Sequence, residues 1–318
     1  MTGGQVNKLN GEIEERNFAA MTALTAPPFA LKLLANGEGH MGEFSRFRVQ
    51  QLTPACGAEL LDCDLNKLDD TLIEEARAAL LRHRVVFFRD QDLSQQAHIA
   101  FAAAFGELEV HPATPKDQPN PEVLRIAHGP KSRGSENMWH SDVTWREAPS
   151  MGSILRAVEL PPVGGDTLFA NMVMAYERLS DEMKEKIENL SAAHDIARVF
   201  AKRLGKKAEE LHDKYPPMVH PVVRTHPETK ERLIYVNGAF TDHIVDMEPE
   251  ESAALLDRLY KTAWNPEVQC RFSWRPGSMA FWDNRACQHF AASDYFPEVR
   301  VMERVTIAGD RPYFDAAA

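Results

Sequence analysis

The segment Trp139-His140-Ser141-Asp142 sets a histidine and a carboxylate two residues apart. On an extended chain residues i and i+2 project to one face, so His140 and Asp142 can both reach one metal ion. Two histidines and one carboxylate on one face of an octahedron form the facial triad of non-haem Fe(II) oxygenases, which leaves positions open for a co-substrate and O2. For the pair alone, the plainer alternative is a turn with two polar side chains ahead of Val143. A third ligand separates these readings. His289 follows the apolar run Met279–Trp282 and the polar segment Asp283-Asn284-Arg285, but the chain has 12 histidines, and by spacing alone His220 and His226 are equal candidates.

A second pair of chemically suggestive residues lies near the C-terminus. In Val299–Ile307, alternation puts Val299, Val301, Val305 and Ile307 on one face and Arg300, Met302, Arg304 and Thr306 on the other. The two arginines then lie roughly 13 Å apart along one face. The planar guanidinium fork donates two parallel hydrogen bonds and suits a carboxylate or sulfonate. Arginines in water on a half-exposed strand are the bland alternative. In a jelly roll, by contrast, the inner face lines a cavity while the outer face packs on helices, so such a strand is buried on both sides.

Elements able to hold these residues can be read from periodicity. Leu72, Ile73, Ala76, Leu80 and Leu81 predict an amphipathic helix over Asp70–Arg84, leading into the buried strand Val85–Phe88. Ser94 caps a helix that stops at Gly106, Ser180 opens another with Asp181 and Glu182 in its first turn, and a further helix spans Glu250–Trp264. Strands are expected at Val123–Ile126, Ser153–Val158, Thr167–Ala170, Val219–Arg224, Arg232–Val236, Val268–Trp274, Met279–Trp282 and Val299–Ile307. Short strands with Gly164-Gly165 and Pro276-Gly277 turns, plus a few helices, predict a mainly β protein, a sandwich or jelly roll. Residues 1–44 read as a poorly ordered N-terminal arm and 45–318 as a single domain.

The overall charge restricts partners. With 47 acidic against 36 basic residues, net −11, the chain lacks the basic surface that nucleic acid requires. The four cysteines form no CxxC pair or dense framework, which fits a reducing, cytoplasmic compartment. Phe18–Leu34 is interrupted by Pro27-Pro28 and Lys32 and reads as no secretion signal, and no segment is long and apolar enough to span a membrane.

Taken in order, Trp139-His-Ser-Asp142-Val-Thr-Trp145, Pro161-Pro-Val-Gly-Gly-Asp-Thr167, His220-Pro-Val-Val-Arg-Thr-His-Pro227, Trp282-Asp-Asn-Arg285 with Gln288-His289, and Arg300-x-x-x-Arg304 resemble the taurine dioxygenase (TauD/TfdA) family over residues 46–315. The resemblance implies a double-stranded β-helix (jelly roll, cupin-like) core and an Fe(II)- and 2-oxoglutarate-dependent dioxygenase using O2. It implies His140, Asp142 and His289 as iron ligands and Thr167 and Arg300 as contacts to 2-oxoglutarate. Arg304 and His111 would face the anionic head of the substrate, Asn137 would contribute a further contact, and Phe200 and Phe240 would form aromatic walls. Thr114 stands where taurine enzymes carry a tyrosine, and Glu136 where they carry an asparagine. The implied substrate is a small organic anion, an alkylsulfonate of taurine type or an alkylsulfate ester, giving succinate, CO2, an aldehyde and sulfite or sulfate. A carboxylate such as an aryloxyalkanoate is the alternative within this chemistry, and a non-catalytic metal- or ligand-binding jelly roll is the alternative outside it. A homo-oligomer, dimer or tetramer, is implied by the family alone.

Overall fold

The computed structural model describes residues 44–318, apart from 112, 113, 115, 116 and 135. The expected arm lies outside these residues except for Phe44, whose ring stacks on Phe47 at 5.0 Å and so belongs to the folded unit.

Two helices cover one face of a large sheet. Helix α1 (Asp70–His83) starts where the Asp69 carboxylate accepts the Leu72 N–H at 2.8 Å, and α2 (Gln95–Ala103) where Ser94 Oγ accepts that of Ala97 at 3.1 Å. Both caps satisfy a backbone donor that the first helical turn leaves unpaired.

Strands β1 (Arg48–Gln51), β2 (Ala58–Leu61), β3 (Val85–Phe88) and β4 (Leu108–Glu109) are followed by β5 (Val123–His128), β6 (Gly152–Glu159) and β7 (Thr167–Asn171). Helices α3 (Met172–Glu177) and α4 (Asp181–Ile187), strand β8 (Ser191–His194) and helices α5 (Ala197–Leu204) and α6 (Ala208–His212) come next. The chain continues through β9 (Met218–Pro221), β10 (Val223–Thr225), β11 (Arg232–Ile234), β12 (Thr241–Ile244) and helix α7 (Pro249–Thr262). It ends with β13 (Gln269–Phe272), β14 (Met279–Asp283), β15 (Cys287–Ala291) and β16 (Arg300–Ile307).

The large sheet runs β1-β2-β3-β14-β6-β16-β4, with β5 also paired to β16, and the facing small sheet runs β13-β7-β15. This is the expected jelly roll. Its central strands are buried on both sides, and alternation divides their residues cleanly. Val86, Phe88, Met279, Phe281, Ile154, Val305 and Ile307 pack outward on Leu72, Ala76, Leu80 and Phe101 of the helices. Val85, Phe87, Ala280, Trp282, Leu155 and Met302 pack inward on Phe169, Cys270 and Phe272 of the small sheet. Phe87 and Phe272 stack at 3.9 Å, and burying each such ring contributes roughly 1.5–3 kcal/mol. The two sheets therefore share one buried interior, to which β6, β7, β14 and β16 all contribute side chains.

Two expected strands need correction. Val219–Arg224 is two strands, β9 pairing with β8 and β10 with β11, because Val222 turns its N–H to the Leu190 carbonyl between them. Val268 belongs to a 3-10 turn over Pro266–Val268, and Trp274 lies beyond β13, where its indole serves a polar contact described below. Among the described residues, no helix is long and apolar enough to cross a membrane.

Candidate active site

His140, Asp142 and His289 come together as a buried cluster whose ligand-type atoms all lie within 4.8 Å of one another. Proximity thus singles out His289 as the third candidate ligand that spacing could not choose. His220 and His226 are committed elsewhere, to the Arg146 carbonyl at 2.9 Å and to the Asp283 carboxylate at 3.0 Å.

Each member of the cluster is prepared for a cation. Nδ1 of His140 lies 2.7 Å from the Met138 carbonyl oxygen, so this nitrogen must donate, and the lone pair is left on Nε2, 3.9 Å from Asp142 Oδ1. His289 is held among Phe169, Trp282 and His140, with ring centroids 6.2, 4.8 and 4.1 Å away, and burial first, then its cationic neighbourhood, lowers its pKa to about 3. A neutral imidazole is the form that binds a metal. Burial alone would raise the Asp142 carboxyl, but Arg304, His289 and His140 hold it well below the usual carboxylate range, so it stays an anion. Its Oδ1 accepts from Arg304 Nη1 at 3.0 Å and its Oδ2 from Ser153 Oγ at 3.2 Å. Two imidazoles and an ionised carboxylate, buried and mutually close, fit an octahedral divalent ion with open positions.

A second pocket is built around Arg300, which is 5% exposed. Its Nε donates to the Gly165 carbonyl at 3.2 Å, while Nη2 is buried with no protein partner. A buried guanidinium nitrogen without an acceptor costs free energy unless an anion completes it, so this atom marks a place for a carboxylate. The Trp274 and Tyr295 rings each lie 5.9 Å from the guanidinium carbon, and Trp274 Nε1 donates to Thr167 Oγ1 at 3.0 Å. Thr167 and Arg300, paired only by resemblance in the sequence, are therefore both neighbours of Trp274. Gly164 and Gly165 both have positive φ, +84° and +73°, and a Cβ on Gly165 would meet Arg300 Cδ at 3.0 Å. The turn needs glycine both for its backbone and for the arginine beside it.

The remaining residues divide. His111 is close enough to Arg304, Arg146 and Asp142 to respond to their charges; burial first, then the two arginines, lower its pKa to about 4. The Phe240 ring sits edge-on to His140 at 6.4 Å, and Phe200 on α5 packs on the apolar group formed by Phe240, Val143, Trp145 and Ala239. Asn137 is placed elsewhere: it is exposed and lines an outer groove of about 430 Å³ with Trp139, Trp264 and Phe290. Glu136, the other departure from the taurine pattern, pairs with Arg203 at 3.0 Å. Sequence reasoning gave Ser153, Gly165, Trp274 and Tyr295 no role; the Gly-Gly turn was a usable signal for Gly165, and nothing local marked the other three.

Donors and anion pockets of this kind, carried on a jelly roll, define the class of 2-oxoglutarate-dependent non-haem dioxygenases. The family model for taurine catabolism dioxygenase TauD, TfdA family matches residues 48–306, and the chain belongs to that family. It is 36% identical over 266 residues to an alpha-ketoglutarate-dependent sulfate ester dioxygenase of Pseudomonas putida, covering 80% of this chain and 87% of the relative. An alkylsulfatase of Acinetobacter baylyi is 33% identical over 275 residues, covering 83% and 86%. The crystal structure of a taurine dioxygenase from Burkholderia xenovorans superposes with a TM-score of 0.75 at 39% identity, covering 86% of this chain and 93% of that one. The chain is an enzyme of this dioxygenase class, and the reading as a non-catalytic binder is set aside.

Proposed function

We propose that the enzyme oxidises an alkylsulfate ester or alkylsulfonate, with alkylsulfates preferred over taurine. His140, Asp142 and His289 would hold Fe(II). Bound there, the iron would supply the oxygen chemistry that couples decarboxylation of 2-oxoglutarate to hydroxylation of the substrate. Arg300 Nη2 and the Thr167 hydroxyl would receive 2-oxoglutarate carboxylate oxygens. Arg304 and His111 would grip the sulfate or sulfonate and so fix which carbon faces the metal, since near-attack placement governs the rate. Hydroxylation of the carbon that bears the sulfate-ester oxygen gives an adduct that collapses to an aldehyde and releases sulfate and a proton.

The observation that carries this reading is Arg304, a half-buried cation 3.0 Å from Asp142 with its Nε buried and unpartnered. A group so placed can receive an anion beside the His140, Asp142 and His289 cluster. Phe240 beside His140, packed with Val143, Trp145 and Phe200 in one apolar cluster, suits an alkyl chain better than the ammonium end of taurine. The relatives that act on sulfate esters support the same preference.

Substrate-dependent succinate formation should be scored on a panel of alkylsulfates, alkylsulfonates, taurine and aryloxyacetates. Alkylsulfates should give the highest kcat/KM. A clear preference for aryloxyacetates would replace the sulfate reading with the carboxylate one, which uses the same arginine fork. We further infer a single catalytic domain over residues 45–318, working as a cytoplasmic homo-oligomer on a free small molecule. Four free, buried cysteines and the net charge of −11 support the compartment and the exclusion of nucleic acid.

A further inference from the structure

We propose that Asn284 is the positioning residue that fixes the Asp142 backbone for metal binding, an inference that rests on the metal reading of His140, Asp142 and His289. The Asn284 amide holds Asp142 on both of its peptide groups. Oδ1 accepts the Asp142 N–H at 2.6 Å, and Nδ2 donates to the Asp142 carbonyl at 3.0 Å. The same Nδ2 donates to the Ser150 carbonyl at 3.0 Å, and the Asn284 N–H donates to the Met151 carbonyl at 2.9 Å. A carboxamide carries a donor and an acceptor side by side, so one side chain complements the N–H and C=O of one residue as a neighbouring strand would. Asn284 is 1% exposed, which leaves water little room to substitute.

The backbone at this point needs such a restraint. Val143, directly after Asp142, has φ +50°, a conformation that β-branched residues avoid and that persists only where the surroundings over-determine it. Arg304 and Ser153 orient the Asp142 carboxylate, but they act on the side chain and leave the strained backbone free to relax. Asn284 acts on the backbone itself.

The clamp is fixed from behind. The buried Asp283 takes the Arg285 N–H at 3.0 Å and Nε at 2.9 Å on Oδ1, and Arg285 Nη2 at 2.8 Å and His226 Nε2 at 3.0 Å on Oδ2. Arg285 Nη1 continues to Glu228 at 2.7 Å. The turn bearing Asn284 is therefore tied on both sides, and His226, which carries no metal, takes part from outside the cluster. Trp282-Asp-Asn-Arg285 and the segment ending at His226-Pro227 thus bear on the Asp142 backbone without touching the Asp142 carboxylate.

The test titrates Mn(II) into the full-length apo-protein, following the electron paramagnetic resonance of free Mn(II), alongside thermal melts in excess chelator. Asn284→Ala should raise the Mn(II) Kd by about 10- to 100-fold, the range found when outer partners of metal ligands are removed. Asn284→Asp keeps the volume and the acceptor for the Asp142 N–H but turns a charged oxygen toward two carbonyls. It should also raise the Kd, and it serves if the alanine variant does not fold. Gln91→Ala is the control: Gln91 is a buried amide hydrogen-bonded to Leu65, Cys63 and Arg89, so its loss should lower Tm and leave the Mn(II) Kd unchanged. Wild-type Kd values in both Asn284 variants would overturn the proposal, as would a Gln91→Ala Kd raised as far as theirs. A wild-type protein that takes up no Mn(II) would instead overturn the metal reading beneath it.

Discussion

His140 and His289 exchange backbone hydrogen bonds: the N–H of His140 donates to the His289 carbonyl at 3.1 Å, and that of His289 to the His140 carbonyl at 2.8 Å. This isolated antiparallel bridge joins a loop to β15 of the small sheet and sets the spacing of two proposed ligands through main-chain atoms. Fold and metal binding are separable here. His289→Gln keeps the bridge and should leave the unfolding free energy of the apo-protein within about 1 kcal/mol, while lowering Mn(II) affinity by more than the roughly 100-fold typical of an outer partner. Chemical denaturation and the Mn(II) titration measure the two effects independently.

The arginines of β16 should separate by ligand. Arg300→Lys keeps the charge but loses the planar fork, and loss of about 2–3 kcal/mol of charge-assisted bonding raises the KM for 2-oxoglutarate roughly 30- to 150-fold. Arg304→Gln should raise the KM for the sulfate ester by a similar factor and that for 2-oxoglutarate much less, its effect there acting only through the Asp142 carboxylate that Arg304 meets at 3.0 Å. Succinate assays with each substrate varied in turn test both variants.

Gly165→Ala combines a conformational and a steric cost. At φ +73° the alanine pays about 1–2 kcal/mol in backbone energy, and its Cβ meets Arg300 Cδ at 3.0 Å. The variant should melt lower than wild type and show a raised KM for 2-oxoglutarate, because the displaced arginine is the one with the unpartnered Nη2.

His98 predicts an acid-side loss of stability remote from the site. Burial lowers its pKa from 6.5 to about 4, and its Nε2 lies 3.1 Å from the Ile154 carbonyl, so the folded state holds it neutral. A folded pKa below the unfolded one means stability is complete above pH 6.5 and falls as pH drops toward 4. Between pH 7.5 and 5 the wild type should lose about 2 kcal/mol more than His98→Gln in urea unfolding. Equal losses in the two proteins would show that His98 does not titrate in this window.

How much was legible in the sequence follows from how local each signal is. Helices α1, α2 and α4 carry their own caps in Asp69, Ser94 and Ser180, and the alternation of β16 correctly sent Met302, Arg300 and Arg304 inward and Val305 and Ile307 toward the helices. The break between β9 and β10 was hidden, because the residues read as one strand and only their different partners divide it. The third candidate ligand was hidden for the same reason: the bridge between His140 and His289 is a long-range pairing, and spacing along the chain contains no trace of it. Ser153 lies on an ordinary strand segment and Trp274 in the loop just past β13, and both acquire meaning only from the Asp142 and Thr167 oxygens that they meet.

The central claim, that this jelly roll binds Fe(II) through His140, Asp142 and His289 and completes the site with 2-oxoglutarate, is tested most directly without turnover. Fe(II) and then 2-oxoglutarate are added anaerobically to the wild type and to Asp142→Ala, and the visible spectrum is recorded. The account predicts a charge-transfer band in the wild type that is absent in Asp142→Ala. No band in the folded wild-type protein, or an undiminished band in Asp142→Ala, would contradict it.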